Sequence, residues 1–381
     1  MLGIKIAASI TEFEKQEWDA LIGANPFASY GWLKTVESTY IGEIDPKYIV
    51  VEEENKLSAA AVCYVFRKTD LVESLDDLLL GRAKHCASKL GISFLPAFIC
   101  WPLFGYGEHL LVGRHFGPKQ KRVIMSCLFD GIELEASKHE LPVGFINVME
   151  HESELIGMLN SRGYNKSVHI PLNFMEVRWS SFDGYLKYLR GVSKKAKKTV
   201  RNEINRNRKE GTAIKKLEEP EQYEERLHEL LNMNYYKHNR RPFSFSRDFF
   251  RELKSNLGND VVFYVSWKAG VLTGVSVDLL RNGTIHMLAI GVDQAIGGRD
   301  YTYFNLGYYS QMMDAALSDT RRIYAGRGAY ETKAIRGFKT ANLYIYYKTS
   351  GKAKNVALKL WFAVLSAWNR YKLPERVKRM R

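Results

Sequence analysis

The chain has 381 residues and a formal net charge of +14 at pH 7, with 46% hydrophobic and 26% charged residues. This length exceeds one ordinary hydrophobic core and predicts two lobes of roughly 150 to 200 residues each. No run of about 18 apolar residues is present, so we expect a globular protein that does not cross a bilayer.

The amino terminus passes from a strand-like alternation at residues 1–6 into Thr11-Glu12-Phe13-Glu14, which is typical of a capping box at a helix start. We see no signal peptide and expect a cytoplasmic protein. The cysteines are widely spaced and form no CxxC pair, which favours reduced structural thiols. They are Cys63, Cys86, Cys100 and Cys127. The nine histidines show no HxxxH or HxH spacing, so we expect no metal site.

Hydrophobic periodicity predicts an alternation of strands and helices in the first half of the chain. The predicted elements are a strand at 3–9, helices at 12–23 and 28–39, strands at 47–53 and 57–67 around a turn at Asn55, a helix ending near 90, a strand at 92–101, a helix at 118–139, a strand at 143–149 and a helix at 151–160.

The sequence of the second half predicts a similar order of strands and helices, built around a three-stranded meander. The elements are a basic helix after Asp183-Gly184-Tyr185-Leu186, a strand at 212–217, helices at 220–236 and 247–257, meander strands at 261–267, 271–280 and 284–292, a helix at 301–317, a strand at 321–325, a glycine loop and a last strand at 344–348. Asn282-Gly283 between two alternating strands is a strong hairpin signal. We expect lobes at 1–170 and 171–350, followed by a basic amphipathic helix and tail at 351–381.

The positive charge is most concentrated in the basic helix. Ala196, Val200 and Ile204 recur at helical spacing, so one narrow apolar stripe is surrounded by cations. One interpretation is a solvated helix face. The other is a site for donor phosphate or RNA, because clustered cations bind phosphate groups independently of sequence. The candidate residues are Lys194, Lys195, Lys197, Lys198 and Arg201.

Two late segments carry the densest functional side chains. Tyr308-Tyr309-Ser310-Gln311 lies on the predicted helix, and residues 325–338 alternate glycine with Arg, Tyr, Glu and Lys just after a buried strand. Ligands often bind where strands of α/β sheets end, so we expect a functional loop there.

Several of these segments resemble the FemAB-like branch of the GNAT superfamily. They are Ser181-Phe182-Asp183-Gly184-Tyr185-Leu186, the basic helix, Tyr308–Gln311, Gly328–Phe338 and Asn25-Pro26-Phe27-Ala28-Ser29. The resemblance implies a mixed α/β (α+β) fold with two GNAT-like lobes, each a mostly antiparallel sheet flanked by helices. It also implies transfer of an acyl or aminoacyl group to a small-molecule or peptide amine. The implied donors are acyl-CoA, acyl carrier protein or aminoacyl-tRNA, with no tightly bound cofactor.

The resemblance also suggests roles for residues of the loop and the helix. Lys333 matches a family lysine and would orient or neutralise the reacting carbonyl or a donor phosphate, with Glu331 as candidate base and Tyr309 as proton donor. The predicted substrate-binding residues are Arg327, Tyr308, Gln311, Tyr330 and Arg336. The alternatives are a surface pair between Glu331 and Lys333 or Arg336, and core packing for the tyrosines.

The start of the predicted helix at 301–317 bears on the donor. Gln294, Gly297 and Gly298 match part of the loop that binds the diphosphate of acyl-CoA in GNAT enzymes. Two residues depart from that pattern. Arg299 stands where a small residue would let the diphosphate approach, and Asp300 places a negative charge at the helix start, which repels a diphosphate. The plain alternative is a turn with Asp300 as the helix N-cap. This departure favours acyl carrier protein or aminoacyl-tRNA without choosing between them.

Residues 352–370 predict an apolar helix with a basic end, which suits either an anionic membrane surface or docking over the first lobe. Taken together, the sequence predicts a cytoplasmic N-acyltransferase that could also be peripheral to the membrane through this helix. A non-catalytic protein of the same fold that binds RNA or an anionic membrane surface is the alternative.

Overall fold

The computed structural model describes residues 2–54, 56–68, 74–297, 299–371 and 373. The chain forms two compact units, of which the first comprises residues up to Ile170 together with Asn342–Leu373. The second runs from Pro171 to Ala341 and is therefore inserted into the first along the sequence. The predicted turn at Asn55, the donor-site residue Gly298 and the tail beyond Leu373 lie outside the described residues.

The strands and helices are numbered in chain order. The strands are β1 Leu2–Ala7, β2 Glu43–Glu53, β3 Lys56–Lys68, β4 Ala97–Cys100, β5 Leu111–Val112, β6 Val143–Met149, β7 Asn165–Val168, β8 Leu172–Glu176, β9 Ala213–Leu217, β10 Val261–Lys268, β11 Val271–Arg281, β12 Thr284–Val292, β13 Arg322–Arg327, β14 Lys339–Ala341 and β15 Leu343–Lys348. The helices are α1 Lys15–Leu21, α2 Tyr30–Thr39, α3 Leu75–Leu80, α4 Lys84–Lys89, α5 Pro118–Lys138, α6 Ser153–Ser161, α7 Phe182–Val192, α8 Lys194–Lys209, α9 Glu224–Asn239, α10 Phe249–Leu257, α11 Gln294–Gly297, α12 Thr302–Phe304, α13 Ser310–Ala315, α14 Tyr330–Ile335 and α15 Lys352–Tyr371. A π-helical turn, Asn305–Tyr309, joins α12 to α13.

The sheet of the first unit has the order β1-β2-β3-β4-β6-β15-β7, with β5 beside β3. Its neighbours are antiparallel except for the parallel pair β4 and β6. Helix α5 packs on this sheet, because Ile124, Leu128 and Ile132 recur at helical spacing and are buried in its core.

The sheet of the second unit has the order β9-β10-β11-β12-β13-β8-β14. Here the parallel pair is β12 and β13, at the same place in the order. Its core joins α7, α8 and the helical segment 302–315 through Leu189, Val200 and Met312, packed with Ile323 of β13. Two mostly antiparallel sheets flanked by helices, with a carboxy-terminal helix, confirm the predicted fold class.

The last strand is where the predicted organisation is wrong. We expected residues 344–348 to complete the second lobe, but β15 pairs with β6 and β7 of the first sheet, so the second unit ends at Ala341 and not at 350. The equivalent place in the second sheet is taken by β8, a strand that the sequence analysis did not assign.

Of the predictions made from local sequence signals near turns, one is confirmed and two differ from the structure. The hairpin at Asn282-Gly283 is confirmed, and both residues have positive φ, 45° and 76°. The capping box at the amino terminus lies earlier than predicted, between Ser9 and Glu12, and α1 begins only at Lys15. The glycine loop is also less irregular than expected, since α14 and β14 lie within or just after it.

Helix α15 docks on the first unit, as one of the two sequence interpretations proposed. Ser366 Oγ accepts a hydrogen bond from the Val168 amide at 2.8 Å, and Trp361 Nε1 donates to the Leu79 carbonyl at 2.8 Å. The helix thereby covers the edge of the sheet at β7. Among the helices that the structure describes, none has the length and apolar character needed to span a bilayer.

Candidate functional site

The end of β13 and the helix that follows it position Lys333. Gly326 and Gly328 have φ of 66° and 76°, a backbone region that glycine adopts without strain, and this lets the chain turn from the strand into α14. The Lys333 side chain is 5% exposed. Its Nζ donates to the carbonyl oxygens of Ala325 at 2.5 Å and Arg327 at 3.2 Å.

Burial lowers the pKa of Lys333 to about 7, because the charged amine loses its hydration. Among the described residues, no carboxylate forms an ion pair with it. A neutral amine has two N–H groups and one lone pair, so the two strand carbonyls engage both N–H groups and leave the lone pair unused. Such an amine can take up and release a proton near neutral pH.

A buried ion pair lies one turn of α14 further on. Arg336 Nη2 donates to Glu203 Oε2 at 2.6 Å, and the side chains are 2% and 9% exposed. The hydroxyl of Tyr309 donates to the same carboxylate oxygen. The guanidinium lies 3.9 Å from the centre of the Phe304 ring, and its Nη1 donates to the Thr332 carbonyl at 2.8 Å. Glu203 therefore joins α8 to the helical segment 302–315, called the central helix below, and to Arg336 at the end of α14.

The tyrosine pair lies at the π-helical turn, a local irregularity that is frequent at functional sites. Tyr309 points toward Glu203, and burial raises its pKa far above the usual range. Tyr308 is also buried and packs edge-on against Phe338, with 6.0 Å between ring centres. Tyr309 thus belongs to the ion-pair cluster, whereas Tyr308 packs as the core alternative expected.

Gln311 is fully buried and serves the interior of the second unit. Its Nε2 donates to Asp278 Oδ2 at 2.6 Å, Ser276 Oγ at 3.2 Å and the Leu306 carbonyl at 3.0 Å. Burial raises the pKa of Asp278 to about 8. The amide nitrogen of Gln311 is therefore engaged inside the protein, and its contact with substrate stays a prediction.

The remaining loop residues lie at the surface. Glu331 is exposed, and the surface pair considered for it does not form, since Lys333 binds strand carbonyls and Arg336 binds Glu203. Tyr330 is half-buried and its hydroxyl donates to the Pro171 carbonyl at 2.8 Å. Arg327 is half-buried at the end of β13.

A basic concavity of about 620 Å³ lies between α7 and the outer face of α8. Its lining residues include no acid and are Arg190, Lys197, Lys198, Arg201, Asn202 and Asn205. Partial desolvation and the neighbouring Arg190 and Arg201 lower the pKa of Lys197. An anion bound here would relieve the repulsion among these cations.

The predicted basic residues divide between this concavity and its surroundings. Lys197, Lys198 and Arg201 line it, while Lys195 is exposed on the first turn of α8, where its amide is capped by Ser193 Oγ. The side chain of Lys194 lies outside the described part of the chain. Sequence reasoning missed Arg190, Asn202 and Asn205, although both asparagines lie one helical turn from predicted cations.

Carboxylates occupy the turn between β12 and the central helix. Asp300 Oδ1 accepts from the Thr302 amide at 3.0 Å, and its Oδ2 accepts from Lys268 Nζ at 3.0 Å. Burial raises the pKa of Asp300, but its hydrogen bonds from Thr302, Lys268 and Thr212 outweigh this and lower it. The Gly297 amide donates to the Asp293 carbonyl at 2.8 Å, and Gln294 is exposed. Among the described residues of this turn, the amides of Gly297 and Thr302 are therefore engaged within the protein.

Glu203 is the site residue that the sequence analysis passed over. It is an acid in a strongly cationic helix, three residues after Val200 and seven after Ala196, and so lies on the apolar stripe. That position signals a buried ion pair. Among the described residues, no cluster of three or more His, Cys, Asp or Glu could hold a metal ion.

Comparison with known families gave one match. A family model for FemAB-like proteins, described as peptidoglycan biosynthesis/recognition, matches residues 9–367. No curated protein matches the chain at a significant level.

Solved structures with a similar fold cover nearly the whole chain. FemX is 8% identical, with a TM-score of 0.56, over 91% of this chain and 98% of its own. The C-terminal domain of an Agrobacterium fabrum protein described as a lysylphosphatidylglycerol synthetase is 11% identical, with a TM-score of 0.56, over 94% and 97%. L-PGS from Bacillus licheniformis is 11% identical, with a TM-score of 0.50, over 87% and 95%. At these identities the likeness concerns the fold.

Proposed function

This chain belongs to the FemAB-like family and is an acyltransferase, and we propose that it moves an aminoacyl group from aminoacyl-tRNA onto an amine of a peptidoglycan precursor. The family's description supports the peptide acceptor. The proposal depends on one observation, which is that α8 lines a basic concavity with one face and holds Arg336 and Tyr309 through Glu203 with the other.

The concavity suits the phosphates of a nucleic-acid donor. Four cations and two side-chain amides around about 620 Å³ supply charge and hydrogen-bond donors for phosphate oxygens. Acyl-CoA fits less well, because Asp300 and Asp293 engage the amides of Thr302 and Gly297 in the turn where its diphosphate would bind. Acyl carrier protein remains a donor that the experiment below must separate from tRNA. A tRNA donor also agrees with the predicted cytoplasmic location.

Helix α8 connects the proposed donor site on its outer face to Arg336 and Tyr309 on its inner face. Its inner face is buried through Ala196, Val200 and Glu203, so the helix is held against the central helix and α14. A donor bound on the outer face would lie on the same rigid element that holds Arg336. We therefore place the guanidinium among the positioning groups of the site.

In the proposed reaction Lys333 transfers the proton. The acceptor nitrogen attacks the ester carbonyl carbon of the donor, a C–N bond forms, and the C–O bond to the ribose breaks. The neutral Lys333 amine takes the proton that the attacking nitrogen loses and returns it to the leaving ribose oxygen. Between these steps the resulting ammonium stabilises the oxyanion of the tetrahedral intermediate. The earlier assignment of Glu331 as base stays a prediction.

The donor assignment is tested by neutralising the concavity. A variant with Arg190, Lys197, Lys198 and Arg201 changed to glutamine should bind tRNA about a hundredfold more weakly, with a reduced slope of log affinity against log salt. The matched control removes four exposed cations of the first unit, namely Lys34, Lys89, Lys119 and Arg122. It should bind tRNA nearly as well as the wild type.

Two results would contradict this function. Equal weakening in both variants would assign the affinity to net charge and not to the concavity. Transfer from an acyl-CoA or an acyl carrier protein, with no transfer from aminoacyl-tRNA, would replace the donor. Because the family consists of enzymes of this class, the non-catalytic alternative is set aside.

A further inference from the structure

Helix α15 has two faces that are both apolar. The inward face packs on the first unit through Leu358, Phe362 and Leu365, which are 6%, 1% and 4% exposed. A helix on the surface of a globular protein normally presents charged and polar residues on its other side. Helix α15 does not.

The outward face carries a continuous apolar stripe. Val356, Leu360 and Val364 follow one another at i+4 spacing and are 61%, 67% and 58% exposed. Trp368 and Tyr371 continue the stripe at 38% and 75% exposure. Alanines occupy further exposed positions in and beside the stripe, namely Ala353, Ala357, Ala363 and Ala367. A patch of this length on a soluble surface marks an interaction site.

Cations border this stripe on both sides. At 3.6 residues per turn, Lys352, Lys359 and Arg370 fall along one flank and Lys354 along the other. The helix contains no acidic residue between Lys352 and Tyr371. An apolar face with basic borders and aromatic residues at one end is the pattern of helices that lie in the interface of an anionic bilayer.

The orientation of the stripe is fixed by polar contacts on the inward side. Asn369 Nδ2 donates to the Val168 carbonyl at 2.9 Å, and Ser366 Oγ accepts from the Val168 amide. Near the start of the helix, Asn165 Nδ2 donates to the Asn355 carbonyl at 3.2 Å. These bonds oppose rotation of the helix, so its apolar face stays turned to solvent.

We propose that the outward face of α15 binds the surface of a bilayer that contains anionic lipids, with the helix lying in the plane of the interface. The apolar stripe enters the boundary between headgroups and acyl chains, and the flanking cations contact lipid phosphates. A second copy of this chain is a poorer occupant, because a symmetric pair would bring these cations close to their own counterparts. The proposal does not depend on the transfer reaction.

The test uses the full chain and sedimentation with vesicles of phosphatidylcholine containing phosphatidylglycerol. The wild type should bind these vesicles but not pure phosphatidylcholine, and raising the salt from about 0.1 M to about 0.5 M should weaken binding. The variant Leu360→Glu with Val364→Glu should bind about a hundredfold more weakly, since each change removes a large apolar side chain from the interface.

The control places the same two charges elsewhere on the first unit. Val123 and Leu134 of α5 are 59% and 55% exposed, and changing both to glutamate should leave vesicle binding intact. All four substituted positions are exposed, so melting temperatures should stay close to that of the wild type, and a variant that melts early is replaced by Leu360→Gln with Val364→Gln.

Three results would overturn the proposal. The first is no binding of wild type to anionic vesicles, and the second is equal loss in the stripe and control variants. The third is a dimer in solution that the stripe variant alone dissociates, which would make this face an interface between copies. None of these experiments measures transfer, so their failure would not bear on the proposed reaction.

Discussion

The sheets of the two units share one strand order, but the buried charged groups that follow the fifth strand of that order have different partners. In the first unit, the turn after β6 carries Glu152, which accepts from His109 Nδ1 at 3.1 Å and from the Met149 amide at 2.8 Å. In the second unit, the turn after β13 leads to Lys333, which meets only backbone carbonyls among the described residues. The charge of His109 is therefore compensated by a carboxylate, whereas the charge of Lys333 is not.

The pKa values follow from this difference. Burial alone lowers the pKa of His109, but the Glu152 carboxylate overcomes this and raises it to about 9. Its Nε2 lies 2.7 Å from the Ile146 carbonyl, so both ring nitrogens have acceptors and the imidazolium is fully satisfied. Burial of Lys333 has no such compensation and lowers its pKa to about 7. A satisfied ion pair is structural, whereas an amine poised near neutral pH can do chemistry.

Helices α7 and α8 are a second difference. Both sheets place a helix pair between their first two strands, α1 and α2 in one unit and α9 and α10 in the other. The pair α7 and α8 precedes this arrangement in the second unit and has no counterpart in the described part of the first. It supplies both the basic concavity and Glu203. The function proposed above therefore depends on a helix pair that the described part of the first unit does not share.

The largest effect should come from removing the poised amine. We expect Lys333→Gln to reduce the rate of transfer about 10²–10⁴-fold, because glutamine keeps N–H donors for the strand carbonyls but cannot take up a proton. In the wild type, kcat/KM should rise with pH up to about 7 as the amine becomes neutral. A transfer assay across pH measures both effects.

Two matched variants sharpen this result. Lys339→Gln changes an exposed lysine on β14 and should leave the rate unchanged. Glu331→Gln tests the other candidate base, and it should have little effect if Lys333 carries the proton. A large loss in Glu331→Gln with near-normal activity in Lys333→Gln would reverse the two assignments.

The next effect concerns the stability of the first unit. Glu152→Gln leaves the buried His109 without its charge partner and should cost about 3–5 kcal/mol in the free energy of unfolding. The folded pKa of His109 lies above the ordinary value of 6.5, so the pair's contribution is fully present below that value and is lost as pH rises through about 9.

Urea unfolding of both proteins checks this stability difference. The wild type should lose its advantage over Glu152→Gln as the pH is raised from about 6 to about 9. A constant difference across this range would mean that His109 is neutral in the folded protein. Transfer activity of the folded variant should change little, which separates this pair from the groups of the second unit.

The ion pair of the second unit should show a comparable loss of stability and, in addition, a clear loss of activity. In Glu203→Gln the side chain still accepts hydrogen bonds, and Arg336 keeps the Thr332 carbonyl and the Phe304 ring, but the buried guanidinium loses its charge partner, so we expect a cost of about 3 kcal/mol. Since Glu203 acts through Arg336 and Tyr309, kcat should fall about tenfold with little change in KM for the donor. Loss of stability without loss of kcat would make the pair purely structural.

Much of the fold could be predicted from local pattern. The meander, the helix at 118–138 and the basic helix follow directly from periodicity and from turn residues such as Asn282-Gly283. Membership of β15 in the first sheet could not be predicted in this way. A strand's own sequence fixes its alternation but not its partner, and β15 pairs with β6 about two hundred residues earlier in the chain.

The site was predicted only in part, because the sequence around a residue does not fix its partner elsewhere in the chain. The loop motif identified Lys333 and Arg336, but the partner of Arg336 lies on another helix, where cations dominate the sequence. Gln311 was predicted to bind substrate from the family resemblance of its motif, yet its amide nitrogen binds Asp278 inside the protein. Whether a polar side chain faces a ligand or a buried partner depends on long-range packing, which periodicity does not report.

Asp278 offers the smallest test and extends the comparison to a second buried ionisable group that has no charge partner among the described residues. It is fully buried, its pKa is raised to about 8 by burial, and its Oδ1 has no hydrogen-bond partner among the described residues. In the unfolded chain the pKa is near 3.8, so the folded state binds the proton more tightly between these values. Stability therefore declines with rising pH across this window, by about 1.4 kcal/mol per pH unit from this group. In Asp278→Asn the amide cannot titrate, so urea unfolding at pH values of about 5, 6 and 7 should give a flatter profile than the wild type. If the two profiles stay parallel, Asp278 is already ionised in the folded protein, and Lys333 would then stand alone as the uncompensated group of the second unit.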